Sequence, residues 1–319
     1  MIQSMSQWRN NVETQAPYVV IPGVTGPSYT EATRTTTGNI HWSFLPEVNG
    51  AVAVADVPSN RVLGVDCSHW QARRDPLPVI HMDWAKCQQA GAKFAFIRAG
   101  SIGNVSGVCY EDFEFQYNSE VAFQFMPVGY YWYYRPNFDS LLQSNFFCGL
   151  IEGKDWRLPP VVDVETMGGL SSEQVASRLV NFCQYMYENI GWHPMIYTRG
   201  TFWNPNGTVP GISDRVLWSS LDLWVARYTA LPEPWGNLGD QEVLRPRHWD
   251  DWLFWQWSAD RPPNGRGAEF GAQSNSIDLN YFRGSQEDFD NEFGNGSPSL
   301  EERVMKLEEQ ARIHGWDLP

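Results

Sequence analysis

The chain has 319 residues and carries a formal net charge of −14 at pH 7. Such an acidic surface repels nucleic acid and anionic membranes, so neither is expected as a partner. No apolar run reaches the ~18 residues of a membrane span. The opening stretch MIQSMSQWRNNVETQ also lacks the basic-then-apolar pattern of a secretory signal.

Taken in chain order, residues 1–60 are rich in Thr, Pro, Gly and Asn, with short β-like pieces such as YVVIPG and AVAVADV. They read as an N-terminal extension that packs on the main domain or docks elsewhere. From residue 61 to about 290 the pattern changes to short apolar or aromatic runs alternating with longer segments. The runs are VLGVDCS (62–68), KFAFIRAG (93–100), MPVGYYWYY (126–134), PPVVDVE (159–165), HPMIYT (193–198), LDLWVARY (221–228), WLFWQWS (252–258) and SIDLNYF (276–282). Short apolar runs bounded by Gly, Pro or Asp suit buried parallel strands.

Helical patterns follow the first four runs, at 82–92, 113–124, 140–151 and 171–191, the last with a serine N-cap signal and Gly191 at its end. Later connections are Pro- and Gly-rich. The fold class expected is α/β, an irregular TIM-like (β/α)8 barrel with an N-terminal extension and a short C-terminal helix. Residues 291–299 read as a polar linker. Over 300–319, Leu300, Val304, Leu307, Ala311 and His314 make a short heptad-like stripe. A helix so short needs a partner. It either folds on its own domain, or it self-associates or docks elsewhere.

The 16 Trp, 13 Tyr and 17 Phe supply rings that stack on sugar faces or fill cores. The five cysteines are odd in number and contain no CxxC pair, so they signal neither a metal site nor a disulfide framework; buried free thiols are expected. The six histidines form no HExxH, and no GxSxG elbow, P-loop or dinucleotide fingerprint occurs. His69 follows the first strand, where it caps a loop or lines a cleft. No cofactor is implied.

Barrel active sites form at strand C-termini, and four acids stand at strand ends here: Asp66, Asp163, Glu165 and Asp278. Asp163 and Glu165 are two apart on one strand, so their carboxyls share a face, about 6–7 Å apart along the backbone. Like charge and burial push one carboxyl pKa up, which keeps a proton available for glycosidic cleavage. The plain alternative is that either acid pairs with a barrel arginine such as Arg98 or Arg227. Closure of the barrel makes the first and last strands neighbours, placing Asp66 beside Asp278. Four acids around one mouth with aromatics between them fit a sugar cleft. They fit a divalent metal less well, since no histidine accompanies them.

The ordered set GVDCSHWQ, FAFIRAG, PVGYYWYY, LPPVVDVE, MIYTR, LWVARY, WLFWQWS and IDLNYF resembles glycoside hydrolase family 25, the Chalaropsis-type lysozymes and many phage endolysins, over residues 62 to 289. The resemblance implies cleavage of the β-1,4 bond between N-acetylmuramic acid and N-acetylglucosamine in bacterial peptidoglycan. It implies Glu165 as general acid/base and Asp163 as nucleophile or as the group steering the substrate's 2-acetamido arm. Asp66 and Asp278 match flanking acids that orient substrate. Tyr131, Tyr197, Trp224 and Gln256 fall in matching strand motifs and are candidate sugar contacts.

The chain departs from the family pattern at Ala99–Gly100–Ser101, where a Thr-Glu-Gly is common, and at Tyr131–Trp132–Tyr133, where a Tyr-His-Phe is common. A chitinase-like barrel would need acids at Leu158 and Val161 and is disfavoured. With the flanking segments, the resemblance points to a phage-derived enzyme acting outside the cell or on a virion. The rival reading is a catalytically weak or silent glycan-binding component of a virion.

Overall fold

A computed structural model describes residues 61–75, 77–204, 211–228, 245–260 and 265–294. The extension expected over 1–60 and the helix expected over 300–319 lie outside the described residues.

Among the described residues nine strands form one sheet: β1 (Leu63–Cys67), β2 (Phe94–Ile102), β3 (Cys109–Glu111), β4 (Val128–Tyr133), β5 (Val161–Asp163), β6 (Met195–Arg199), β7 (Leu223–Ala226), β8 (Phe254–Asp260) and β9 (Ile277–Phe282). Their order is β1-β9-β8-β7-β6-β5-β4-β2-β3, and a further pairing of β1 with β2 closes the ring. Each of the eight apolar runs contributes one barrel strand. The ninth, β3, is a hairpin partner of β2 outside the ring, with Gly100 opposite Glu111. The apolar pattern does not reveal it, because its three residues are all half-buried.

One expectation is corrected. The apolar runs suggest parallel strands, but β9 runs antiparallel to both β8 and β1. A parallel return needs a crossover, usually helical. The described part of the β8–β9 connection, 265–276, consists of turns and bends without a helix.

The crossover helices are α1 (Trp84–Gln89), α2 (Phe115–Ala122), α3 (Ser140–Ile151) and α4 (Ser172–Ile190). Short one-turn helices α5 (Gly200–Trp203) and α6 (Gln286–Phe289) follow. The ends of α4 are set locally. Ser171 Oγ accepts from Gln174 N, the Gln174 side chain returns to Ser171 N, and Gly191 closes the helix at φ 71°. Serine and glutamine thus satisfy otherwise orphaned first-turn amides, and glycine takes the left-handed cap without penalty. After α6, residues 290–294 form a π-helical turn that buries Phe293, so the first residues expected as linker belong to the barrel's packing.

Strand alternation sorts side chains into two layers. Ala95 and Ile97 of β2 face the helices, with Val162, Ile196 and Val225 of other strands. Phe94 and Phe96 face inward and join Val161, Met195, Trp224, Phe254 and Phe282. Phe96 stacks on Trp224 at 4.4 Å and meets Phe254 edge-on at 5.0 Å. Gly129 of β4 leaves room for this plug, since a Cβ there would lie 2.8 Å from the Phe96 ring. Much of the aromatic surplus is therefore core, and it forms a solid floor on which the site stands.

Candidate active site

The inward-facing residues above that floor change character from apolar to polar. Asp66, Arg98, Tyr131, Asp163, Tyr197, Trp224, Gln256 and Asp278 line one open cleft at the mouth, together with Tyr133, Glu165, Arg199 and Tyr228. All four acids and all four sugar-contact candidates expected from the sequence therefore meet in one place.

Asp66 and Asp278 are direct cross-strand partners on β1 and β9, as barrel closure requires. Asp66 is buried and accepts from Gln256 Nε2 at 2.7 Å and Asn280 Nδ2 at 2.8 Å. Gln256 is a hub. Its Oε1 accepts from the hydroxyls of Tyr197 (2.7 Å) and Tyr228 (2.9 Å), and its Nε2 also reaches Asp278 Oδ2 at 3.5 Å. Trp224 Nε1 donates to Asn280 Oδ1 at 2.8 Å, which fixes the amide that serves Asp66. Burial pushes the Asp66 carboxyl up to about 6. The hydrogen bonds from Asn280 and Gln256 oppose this shift, and nearby Glu165 adds to it.

Asp163 ends β5 between Tyr133 of β4 and Tyr197 of β6. It is buried, and its Oδ1 has no hydrogen-bond partner among the described residues. Burial drives its carboxyl well above the usual range. Glu165 and Asp66 reinforce the shift, while the Arg98 and Arg199 guanidiniums oppose it. The two-residue spacing suggests that Glu165 shares the strand, but β5 stops at Asp163. The strand-like course still runs on for a residue: Val164 N donates to Tyr197 O at 2.9 Å, and Thr198 Oγ1 to Val164 O at 2.8 Å. This brings Glu165 back to the cleft side, more open to solvent than Asp163.

An arginine does meet this pair, but neither of the two that the sequence suggests. Arg199 Nη2 donates to Glu165 Oε1 at 3.1 Å. Arg98 instead donates to Tyr110 OH at 2.9 Å, and its Nε lies 3.9 Å from Asp112. Arg227 joins the strand network through its backbone amide to Gln256 O. His69 turns away from the cleft to Asp112 Oδ2 at 2.7 Å. Arg199, Asn280 and Tyr228 are site residues that sequence reasoning misses, though two signals are present. Arg199 stands at a strand C-terminus, and Asn280 is two residues after Asp278, on the same face.

The departure at Ala99–Gly100–Ser101 has a local cause. A Cβ on Gly100 would collide with the Tyr110 carbonyl, so glycine admits the β3 hairpin, and Ser101 Oγ donates to Tyr133 O at 2.8 Å. Tyr197, Trp224 and Gln256 are nearly enclosed. They hold the acids in place more than they offer open faces. All five cysteines are free, four of them buried. Among the described residues no group of three or more His, Cys, Asp or Glu is arranged to hold a metal ion.

The protein-family model for glycosyl hydrolases family 25 matches residues 65–265. The uncharacterized protein YegX of Escherichia coli O157:H7 is 27% identical over 236 residues, 72% of each chain. The bacterial lysozyme from Streptomyces coelicolor is 25% identical, with a TM-score of 0.53 over 74% of this chain and 98% of that one. A family 25 glycosyl hydrolase from Bacillus anthracis shares the fold, at 23% identity and a TM-score of 0.54 over 74% and 95% of the two chains. With its acids gathered at the barrel mouth and the family model matched from β1 past β8, the chain belongs to glycosyl hydrolases family 25, and it is a glycoside hydrolase.

Proposed function

We propose that the protein cleaves the β-1,4 bond between N-acetylmuramic acid and N-acetylglucosamine in peptidoglycan. The observation that carries this reading is the gathering of Asp66, Asp163, Glu165 and Asp278 in one cleft, with Asp163 buried below the more open Glu165. The lysozyme name of the Streptomyces relative supports the choice of glycan.

Glu165 reaches solvent and serves as the acid that protonates the leaving glycosidic oxygen, then as the base that activates water. Asp163 is poorly suited to a permanent charge, because burial and its acidic neighbours both disfavour ionisation. That favours a role in steering the substrate's 2-acetamido group over one as a covalent nucleophile. The acetamido oxygen then attacks C1 as the glycosidic bond breaks and Glu165 gives its proton to the leaving oxygen, while the Asp163 carboxylate takes up the acetamido N–H proton, which its raised pKa favours. Substrate assistance of this kind gives retention without a glycosyl-enzyme bond. Asp66 and Asp278 orient the sugar from the opposite wall. Action outside the cell, and carriage on a phage particle, belong to the same proposal; the latter rests on the flanking segments and the heptad stripe at 300–314.

Purified full-length protein and its Glu165→Gln variant are incubated with peptidoglycan, and the released reducing ends are identified. New N-acetylmuramic acid ends from the wild type alone are expected. Release of N-acetylglucosamine ends would overturn the bond assignment. No release from either protein between pH ~4 and 8 would overturn the activity.

A further inference from the structure

Next to the Asp66 wall of the cleft two large rings face solvent. Trp70 is 70% exposed and Phe113 is 71% exposed. An exposed indole gains little from folding, yet this one is held firmly. Trp70 lies in a 3-10 turn, His69–Gln71, directly after β1. Ser68 caps the turn: its Oγ accepts from Trp70 N, and its own amide donates to Gln71 Oε1 at 2.8 Å. Gln71 Nε2 then donates to Ser276 O at 3.2 Å, tying the turn to the approach to β9.

The His69 ring bridges the two aromatics, with centroids 4.5 Å from Trp70 and 5.8 Å from Phe113. Buried carboxylates flank Phe113 on both sides in sequence. Asp112 holds His69, and Glu114 holds His81 Nδ1 at 2.6 Å and Arg74 Nη1 at 3.3 Å. The Arg74 guanidinium in turn lies 4.6 Å from the Phe113 ring. Each ring is therefore fixed through a basic side chain that a buried acid anchors. Trp70 also lines the catalytic cleft itself, so the surface is continuous with the site of cleavage.

Resting on the glycan-cleaving reading above, we infer that Trp70 and Phe113 form a shelf on which a sugar ring of the glycan strand, beyond the bond being cut, stacks. The occupant is a β-1,4-linked N-acetylhexosamine unit. Its C–H face is apolar and matches an aromatic plane, while its rim of hydroxyl and amide groups stays in water. A rigid ring loses little conformational entropy on binding, so the built-in anchoring of Trp70 by Ser68 and His69 adds affinity. An anionic lipid surface fits poorly, given the chain's net charge of −14.

The test uses peptide-free glycan chains of defined length from peptidoglycan, titrated calorimetrically into the Glu165→Gln protein with and without Trp70→Ala or Phe113→Ala. Affinity is expected to rise with chain length until the shelf is filled. Trp70→Ala should remove that last gain, about tenfold in Kd, with a smaller loss for Phe113→Ala and near-full retention for Trp70→Phe. In the otherwise wild-type enzyme, Trp70→Ala should raise KM for long chains by a similar factor. Its effect on the shortest cleavable chain should be clearly smaller, so that the ratio of long-chain to short-chain kcat/KM falls. Equal length dependence with and without Trp70 overturns the shelf. So does a Trp70→Ala loss of the same size on short and long chains, which would place Trp70 at the scissile sugars or make it a support for Asp66. A wild type that cuts no glycan defeats the cleavage reading, while the titrations still judge the shelf.

Discussion

On the β1, β8 and β9 side of the mouth, Asp66 receives two amide donors, and the Gln256 amide is fixed by two tyrosine hydroxyls. On the β5 and β6 side, Asp163 keeps a buried oxygen without a hydrogen bond among the described residues, and Glu165 is met by a half-exposed arginine. Both sides carry two acids at strand ends, yet one is a finished polar network and the other is left open. A saturated network resists change and suits positioning. An acid with spare hydrogen-bonding capacity and a disfavoured charge suits proton transfer and charge stabilisation. In the proposed mechanism orientation falls to Asp66 and Asp278 and chemistry to Asp163 and Glu165, and substitutions can break this division in graded steps.

The largest effect belongs to Glu165→Gln. Loss of the proposed proton donor should lower kcat/KM by about 10³-fold. Because Glu165 is partly open to solvent and outside β5, the melting temperature should hardly move. A variant with more than about a tenth of wild-type activity would show that another acid carries the proton.

Asp163→Asn comes next. If Asp163 stabilises charge that appears only in the transition state, kcat should fall roughly 10²-fold while KM stays close to wild type. The isosteric amide also removes a carboxyl whose ionisation the burial opposes. Stability at pH 7 should therefore hold or rise. A drop of several degrees on thermal melting would instead mark Asp163 as part of the supporting network, erasing the difference between the two sides.

How much of this contrast is legible in the sequence follows from its causes. The barrel strands announce themselves because buried strands are apolar runs, and the four acids stand out because a charge at the end of such a run is costly. The pairing of Asp66 with Asp278 follows from closure alone. The antiparallel sense of β9 is hidden, because direction depends on the connection and not on the strand's own residues. The β3 hairpin is hidden too, since half-buried residues give no apolar run. Arg199 escapes notice for a different reason. Arg98 and Arg227 have the same composition signal, and only the register of β5 against β6 decides which guanidinium reaches Glu165. Trp70 is visible in its motif, but its exposure depends on how the turn after β1 is capped.

Asp66 allows a test by pH. Its carboxyl is shifted from 3.8 to about 6 in the folded protein. Between those values the folded state binds more protons than the unfolded one, so stability falls as pH rises through this window. At 1.36 kcal/mol per pKa unit the contribution lost is roughly 3 kcal/mol. Asp66→Asn should flatten the corresponding part of the stability curve between pH ~4 and 6, measured by urea denaturation, and leave the remaining slope, to which Asp163 contributes in the same direction. An unchanged slope would mean that the amides of Gln256 and Asn280 already offset the burial of the charge.

Arg199→Gln has the smallest expected effect and sharpens the comparison most. Arg199 is half-exposed, so its ion pair with Glu165 adds little to stability. Its contribution lies in geometry: one nitrogen at 3.1 Å restricts where the Glu165 carboxyl can point, on the more open side of the mouth. A glutamine side chain at this position is shorter and uncharged, so Glu165 would sample more orientations before protonating the leaving oxygen. kcat should drop about tenfold with KM and melting temperature nearly unchanged, and Arg199→Lys should recover part of it. A rise in KM with kcat intact would show that Arg199 binds sugar instead of positioning the acid. Among the described residues the open side of the mouth would then hold no side-chain restraint on Glu165, and substrate itself would have to supply the order that Gln256 and Asn280 give Asp66.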